Sequence, residues 1–403
     1  AVPPSILYPS PGYYGVSLTV NDGISTHTTT LNNAITVTGG ASLPFAQDFN
    51  GGSFPPSGWT ITGGEGQGQG LVWSADAVAG CDAQTIAFVN AYSFQGQSGG
   101  PQLGTPRIDL TTANMPYLRF RYSYAQETSS NTETFQVYGH DCGYGVYSTF
   151  FNKTGADLAT NGGAYVSGQG WAPATCAHWR EMTLPVDPLA GRIGQFWFYV
   201  FSTGGQNLFV DKVSVFNGVR LPVRVLLQGP WNTGMQLMND GVREQGLVPI
   251  QEPYSAGGYS YVDEGGSHTV NPAVLTITGS NAIVDWAILE LRDPADATRV
   301  VCSRPVLLQR DGDVVDYDGG QAPRMAAPTG NYFVAVKHRN HLGVMSAAPM
   351  AIANGMNTLD FSAPSTLTWG TEARAISGTK ALLWTGDTNG NAVVKYTGSG
   401  NDR

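Results

Sequence analysis

The stretch Leu43-Pro-Phe-Ala-Gln-Asp-Phe-Asn50, with a Pro-Pro-Ser-Gly-Trp turn at 55–59, opens a segment that Asn207-Leu-Phe-Val-Asp-Lys-Val213 closes. Short apolar runs fill it at 71–74, 85–92, 117–124, 134–139, 147–152, 179–184, 195–201 and 208–215. These runs are mostly β-branched or aromatic and are bounded by Gly, Asn, Asp or Pro, and helical periodicity is almost absent, which is the pattern of strands. Their number suits two packed sheets. Residues 43–217 are therefore expected to form a β-sandwich of jelly-roll type, with its first and last strands side by side.

Composition narrows the class. At 403 residues the chain has room for several domains of roughly 100–200 residues each. Charged residues make up 13% of it, against about 25% in an average soluble domain. With 52 Gly and 24 Pro, the surface is expected to be polar, weakly charged and rich in turns, as in extracellular β-proteins. A net charge of −9 and the lack of Lys/Arg clusters argue against a nucleic-acid partner, because phosphate binding needs basic clusters. The longest strongly apolar run, Phe196-Trp-Phe-Tyr-Val-Phe201, is far short of the roughly 20 residues that span a bilayer as a helix. The chain begins Ala1-Val-Pro-Pro, with no basic or apolar leader, and is expected to be a mature or excised segment. Cys81, Cys142, Cys176 and Cys302 suit an oxidising compartment without fixing a connectivity. If the strands alternate up and down, Cys81 and Cys142 share a pole and are the expected bridge; buried thiols are the alternative.

Three further segments flank this one. Residues 1–40 carry Pro11-Gly-Tyr-Tyr-Gly-Val-Ser-Leu-Thr-Val-Asn-Asp-Gly23 and a closing strand at 34–37. They resemble the last strands of a PKD domain, an Ig-like sandwich of which about half is present. Two or three strands alone are marginal, so they are expected to have lost their other half or to complete a sheet in a neighbour. In the middle segment the phrases Thr105-Pro-Arg-Ile-Asp-Leu, Tyr117-Leu-Arg-Phe-Arg-Tyr-Ser-Tyr-Ala, Phe135-Gln-Val-Tyr-Gly-His-Asp-Cys-Gly and Trp179-Arg-Glu-Met-Thr-Leu together resemble MAM-like, gingipain-type cleaved-adhesin jelly rolls carried by type IX secretion cargo. Residues 220–365 begin a second β-sandwich at Val223-Arg-Val-Leu-Leu and contain an Asp-Gly turn at 311–312, with a short helix or structured loop expected in 231–249. That segment is similar to a region common near the C-termini of the same secreted proteins. Residues 366–403 form a tail that resembles the start of a dockerin-like calcium loop.

Candidate sites follow from these resemblances. The jelly-roll pattern puts acids at the meeting strand ends, so Asp48, Asn50 and Asp211, with Asp76 as a further ligand, are expected to hold calcium, a hard cation that takes six to eight oxygens. The tail offers Asp387, Asn389, Asn391 and the Val393 carbonyl at loop positions one, three, five and seven, but no acid at position twelve. The acids at 311, 313, 316 and 318 read as a charged hairpin edge that blocks aggregation. His338 and His341 invite a zinc reading that lacks a third ligand. No Gly-x-Ser-x-Gly elbow and no His-Glu-x-x-His occurs. Of the tryptophans, Trp179 and Trp286 sit in strand patterns and are expected in the core, which leaves Trp171 and Trp231 as candidate ligand contacts.

The expected function is thus non-catalytic: a calcium-stabilised, secreted or cell-surface protein that attaches to glycan, to protein matrix or to its own copies, exported by type IX machinery. Two alternatives accompany it. One is the accessory region of a secreted zinc metallopeptidase whose catalytic domain lies upstream. The other is a filament or surface-layer subunit that self-associates by strand pairing.

Overall fold

The computed structural model describes residues 6, 8, 12–37, 39–63, 71–78, 84–94, 100–130, 132–143, 145–202, 204–262 and 267–386. They divide into two compact units after Val215. Strands dominate both. The first unit begins with a long hairpin, β1 (Gly12–Asn21) and β2 (Thr26–Val37). The Asp22 carboxylate accepts from the backbone N–H of Ile24 and Ser25 and closes its turn. Val16, Leu18, Val20 and Leu31 of the hairpin are exposed.

The sandwich follows as β3 (Phe45–Gln47), β4 (Thr60–Thr62), β5 (Trp73–Val78), β6 (Gln84–Val89), β7 (Gln102–Gly104), β8 (Ile108–Asp109), β9 (Pro116–Tyr124), β10 (Thr134–Asp141), β11 (Tyr147–Thr154), β12 (Arg180–Pro185), β13 (Ile193–Phe201) and β14 (Leu208–Asn217). Sheet one runs β11-β10-β13-β7-β4 with β8 on β13, and sheet two runs β12-β9-β14-β6-β5 with β3 on β14. The first and last strands, β3 and β14, pair antiparallel, as expected. All eight expected strands form; the short β4, β7 and β8 were not expected.

Period-two alternation builds the core. Phe135 and Val137 of β10 and Phe196, Phe198 and Val200 of β13 point inward, as do Leu118, Phe120, Tyr122 and Tyr124 of β9, and all belong to one buried cluster. Phe120 from sheet two meets Phe135, Phe151 and Phe198 of sheet one edge-on, at centroid distances of 5.9, 5.7 and 5.4 Å. Such T-shaped pairs are favourable beyond the area they bury.

The two outer faces differ. Sheet two is covered: Trp171, Phe209, Ile86 and Ala125 form a buried cluster on it, with Val166 and Trp179 packed against them. Buried polar groups fasten this cover. Glu133 accepts from Tyr124 Oη, Ser202 Oγ and the backbone N–H of Gly205 and Gln206. The Gln206 amide donates to the carbonyls of Val166 and Gln169 and accepts from Trp171 N–H. Sheet one carries no such cluster among the described residues.

In the second unit, strands at His341–Met345, Gly330–His338, Ile283–Arg292, Val300–Gln309, Asp313–Val315, Val223–Arg224 and Leu359–Asp360 form one sheet in that order. Trp286 is fully buried against Ile283, Ile288 and Leu307, and Gly312 turns the chain at a φ of 92°. A four-residue helix, Gly241–Glu244, occupies the stretch where one was expected. Residues 366–386, expected in a tail, include the hairpin of Ala375–Ser377 and Lys380–Leu382 and the buried Leu383.

Phe198 tests the packing between the sheets. Phe198→Ala should cost about 3–5 kcal/mol of stability, read by urea unfolding. Peptide-resolved hydrogen exchange should quicken in β9, β10 and β13 and stay unchanged in Ile283–Arg292.

Candidate ligand-binding face

Because Phe196, Phe198 and Val200 point into the core, Trp197, Tyr199 and Phe201 of β13 must point out of it. The register sets their neighbours. Tyr147, His140 and Gln195 lie in one row; Thr149, Tyr138, Trp197, Gly104 and Thr60 in the next; Asn152, Gln136, Tyr199, Gln102 and Thr62 in a third; Thr154, Thr134 and Phe201 in a fourth. Five aromatic rings thus share the outer face of sheet one. Tyr147 is 62% and Phe201 42% exposed, and Tyr138, Trp197 and Tyr199 are half-buried.

The rings lie low because two glycines make room. A Cβ on Gly104 would come within 2.8 Å of the Trp197 ring, and one on Gly100 within 2.4 Å of Tyr199. Hydrogen bonds then fix their orientation. Trp197 Nε1 donates to His140 Nε2 at 3.0 Å, so the neutral ring carries its hydrogen on Nδ1, which donates to the Asp141 carbonyl at 2.9 Å. Tyr138 Oη donates to Gln102 Oε1 at 2.6 Å, and its ring lies 5.1 Å from that of Tyr147. Burial, with the neighbouring Tyr147 and Tyr199 phenols, pushes the Tyr138 hydroxyl up to about 12, so it remains a protonated donor at neutral pH. The result is a preformed strip of aromatic faces edged by the amides of Gln102, Gln136, Gln195 and Asn152. From Trp197 to Phe201 it runs about 13 Å along the strand.

The residues expected to bind lie elsewhere. Trp171 is buried: its Nε1 donates to Ser123 Oγ at 3.1 Å and its ring packs on His178. It belongs to the cover of sheet two and is corrected from ligand contact to packing. Trp231 is half-buried in a hairpin with Leu237–Met238, and its Nε1 is buried without a hydrogen-bond partner. Trp286 is in the core as expected, while Trp179 is half-buried beneath the Arg121 guanidinium, 4.8 Å from its ring. Cys142 is a free thiol, Cys302 a buried one, and Cys176 is disulfide-bonded, so Cys142 is not the bridging cysteine it was expected to be. His341 Nδ1 and His338 Nδ1 sit 3.1 Å apart, and the backbone N–H of Gly229 donates to His341 Nε2. His341 Nδ1 therefore carries the hydrogen and donates to His338.

The expected calcium ligands can be tested against the same geometry. Asp48, Asn50 and Asp76 are exposed, whereas Asp211 is fully buried. Both Nε (2.9 Å) and Nη2 (2.5 Å) of Arg121 donate to Asp211 Oδ2. Burial pushes the Asp211 carboxyl up, and Arg121 offsets this only in part. Asp211 Oδ1 is buried and without a partner, but one oxygen beside a guanidinium falls well short of a calcium shell. No group of three or more His, Cys, Asp or Glu that could hold a metal occurs among the described residues. The described residues at Asp211 do not fit calcium. Asp387, Asn389, Asn391 and Val393 lie outside the described residues.

The sequence reading passed over Tyr138, Tyr147, Trp197, Tyr199 and the two glycines. A signal was available in Phe196-Trp-Phe-Tyr-Val-Phe201, where every second residue must face outward once the others are buried.

No family model matches the chain, and no curated protein matches it. Among solved structures it is similar to two cleaved adhesin domains of Lys-gingipain from Porphyromonas gingivalis. One has 20% identity, 43% of this chain and 98% of that one covered, and a TM-score of 0.32; the other has 18%, 43%, 98% and 0.33. A xylan-binding domain from Paenibacillus barcinonensis is similar at 14% identity, with 44% of this chain and 96% of that one covered and a TM-score of 0.25. At these scores the likeness decides nothing about ligand.

If Arg121 is the counter-charge of Asp211, adding calcium to metal-stripped protein should leave its Tm unchanged, while Arg121→Ala should destabilise it by about 3–5 kcal/mol. A calcium-dependent rise in Tm that Asp211→Ala abolishes would return the ion to this carboxylate.

Proposed function

We propose that the chain is a non-catalytic binding protein of the cell exterior whose ligand is a glycan, taken on the aromatic face of sheet one. The observation that carries this reading is the row of Tyr138, Trp197 and Tyr199 on one outer face, flanked by Tyr147 and Phe201, with Tyr199 over Gly100 and Trp197 over Gly104. A pyranose presents an apolar face of C–H groups and a rim of hydroxyls. Aromatic side chains supply broad apolar contact at little cost in conformational entropy, and the bordering amides suit the rim. A protein ligand of comparable affinity would need a larger continuous interface. The reading does not require calcium, because Arg121 supplies positive charge at Asp211.

Self-association is a second reading, favoured by the exposed apolar positions Val16, Leu18, Val20 and Leu31 on the β1–β2 hairpin, which offers unpaired strand edges to another copy.

A glycan array followed by titration calorimetry separates the two. Trp197→Ala should weaken glycan binding at least tenfold, about 1.4 kcal/mol. Gly104→Ala, which lifts the Trp197 ring, should weaken it several-fold without altering the far-UV circular dichroism. Absence of glycan binding by the wild type, together with concentration-dependent assembly abolished by Leu18→Lys, would replace the first reading with the second.

A further inference from the structure

At the margin of the aromatic face the edge strands of the two sheets, β11 and β12, border a cavity of about 670 Å³. Asn152 and Thr154 line it, and both also belong to the outer rows of sheet one, opposite Gln136 and Thr134. The cavity is therefore continuous with the proposed glycan face. Its remaining polar lining is Lys153, Asp157 and Arg180.

The charge there is unusual for this chain. Only 21 of its 403 residues are Lys or Arg, and most arginines of the described residues are spent on partners: Arg121 on Asp211, Arg192 on Asp141, Arg292 on Glu290, Arg304 on Asp316 and Arg339 on Asp285. Lys153 and Arg180 make no salt bridge among the described residues, yet they converge on one cavity. They lie close enough that burial and then the Arg180 charge pull the Lys153 ammonium below its ordinary value, with Asp157 opposing the fall. Lys153 is half-buried, its ammonium 5.7 Å from the Phe151 ring. Opposite Arg180 on β9 lies Tyr122, whose hydroxyl is buried within reach of the guanidinium. Burial pushes that phenol up, and the Arg180 charge and a hydrogen bond with it oppose the shift. Two cations without an ion pair among the described residues, at one polar cavity, call for an anionic acceptor, and a planar guanidinium with a nearby ammonium matches an oxyanion best.

We propose that this cavity binds the oxyanion, a carboxylate or a sulfate ester, of an acidic sugar whose neighbouring residues lie on the aromatic face. The assignment rests on the glycan reading for the sugar, but not for the anion. Arg180 takes the oxyanion through its paired N–H groups and Lys153 adds a point charge. Asn152 and Thr154 meet hydroxyls of the same residue, and Asp157 accepts from a hydroxyl on the far side.

Two measurements on the full chain test it. In the first, sodium glucuronate, sodium sulfate and glucose are titrated into isotope-labelled protein. The amides of 152–157 should shift saturably with the two anions and not with glucose, equally in wild type and Trp197→Ala, and the shifts should vanish in Lys153→Gln/Arg180→Gln. The stronger of the two anions identifies the group. Missing shifts in the wild type, or shifts that persist in the double variant, overturn the proposal. In the second, a chondroitin sulfate hexasaccharide is compared by calorimetry with its desulfated and carboxyl-reduced forms. The preferred acidic form should bind at least tenfold more tightly than the form lacking that group, and the double variant should lose the difference. Anion shifts without any glycan binding would sink the glycan reading and leave the anion site standing; glycan binding that is lost with Trp197→Ala but indifferent to both charges would do the reverse.

Discussion

The alternation of β13 is the constraint on which the candidate site depends. Phe196, Phe198 and Val200 are locked into the core by Phe120 and Phe135. A slip of one residue would bury Trp197, Tyr199 and Phe201 and expose three core side chains. Every ring removed from that core costs several kcal/mol, so the outward set is held in place by the inward one. The binding face is in this sense the reverse side of the hydrophobic core. Its rigidity comes from packing that a ligand never touches.

Rigidity alone does not make a face available, and the two sheets of the sandwich show the difference. On sheet two the outward positions of β9 and β14 include Ser123, Arg121 and Asp211, all buried beneath the 158–179 segment. That cover is fastened by Glu133 and Gln206, whose buried side-chain oxygens are satisfied by backbone N–H groups and hydroxyls. A buried carboxylate left without such partners would be costly, so each of these bonds also tells the chain which sheet the segment must lie on. Sheet one keeps its outer face, and there glycine replaces bulk at positions 100 and 104 so that the rings of Tyr199 and Trp197 can approach the backbone.

Much of the fold was legible because it follows from period-two patterning. The eight runs, the Asp-Gly turn at 311–312 and the pairing of the first and last strands could all be found from alternation and turn residues. What escaped was short or depended on register. The strands β4, β7 and β8 have two or three residues each, too few to show a period. The aromatic strip was hidden because Phe196-Trp-Phe-Tyr-Val-Phe201 is apolar throughout, and an unbroken apolar run does not say which half is buried. Trp171 misled for the opposite reason. Its surroundings are loop-like in sequence, yet Gln206 and Ser123, distant in the chain, draw it into a buried cluster. Cys142 likewise failed as a bridge partner because strand order does not reveal which loops approach one another.

Asp211 shows how a resemblance and a physical environment can point in different directions. The motif Asn207-Leu-Phe-Val-Asp-Lys-Val213 suggests a metal ligand, and burial of the carboxylate does demand a positive charge. That demand can be met by an ion or by a neighbouring strand. Here β9 lies beside β14 and carries Arg121 to hydrogen-bonding distance, with Trp179 over the guanidinium. Next to Asp211, Lys212 adopts a φ of 50°, and Val210 and Val213, three residues apart, are both buried in the core. The alternation therefore shifts at Asp211–Lys212, which turns both side chains away from the core in succession and places a second cation beside the carboxylate. Two resident cations raise the electrostatic cost of bringing a divalent ion to the same oxygen. An internal guanidinium needs no supply from outside, so the buried carboxylate of the last strand is balanced from β9 by a group that the chain itself encodes.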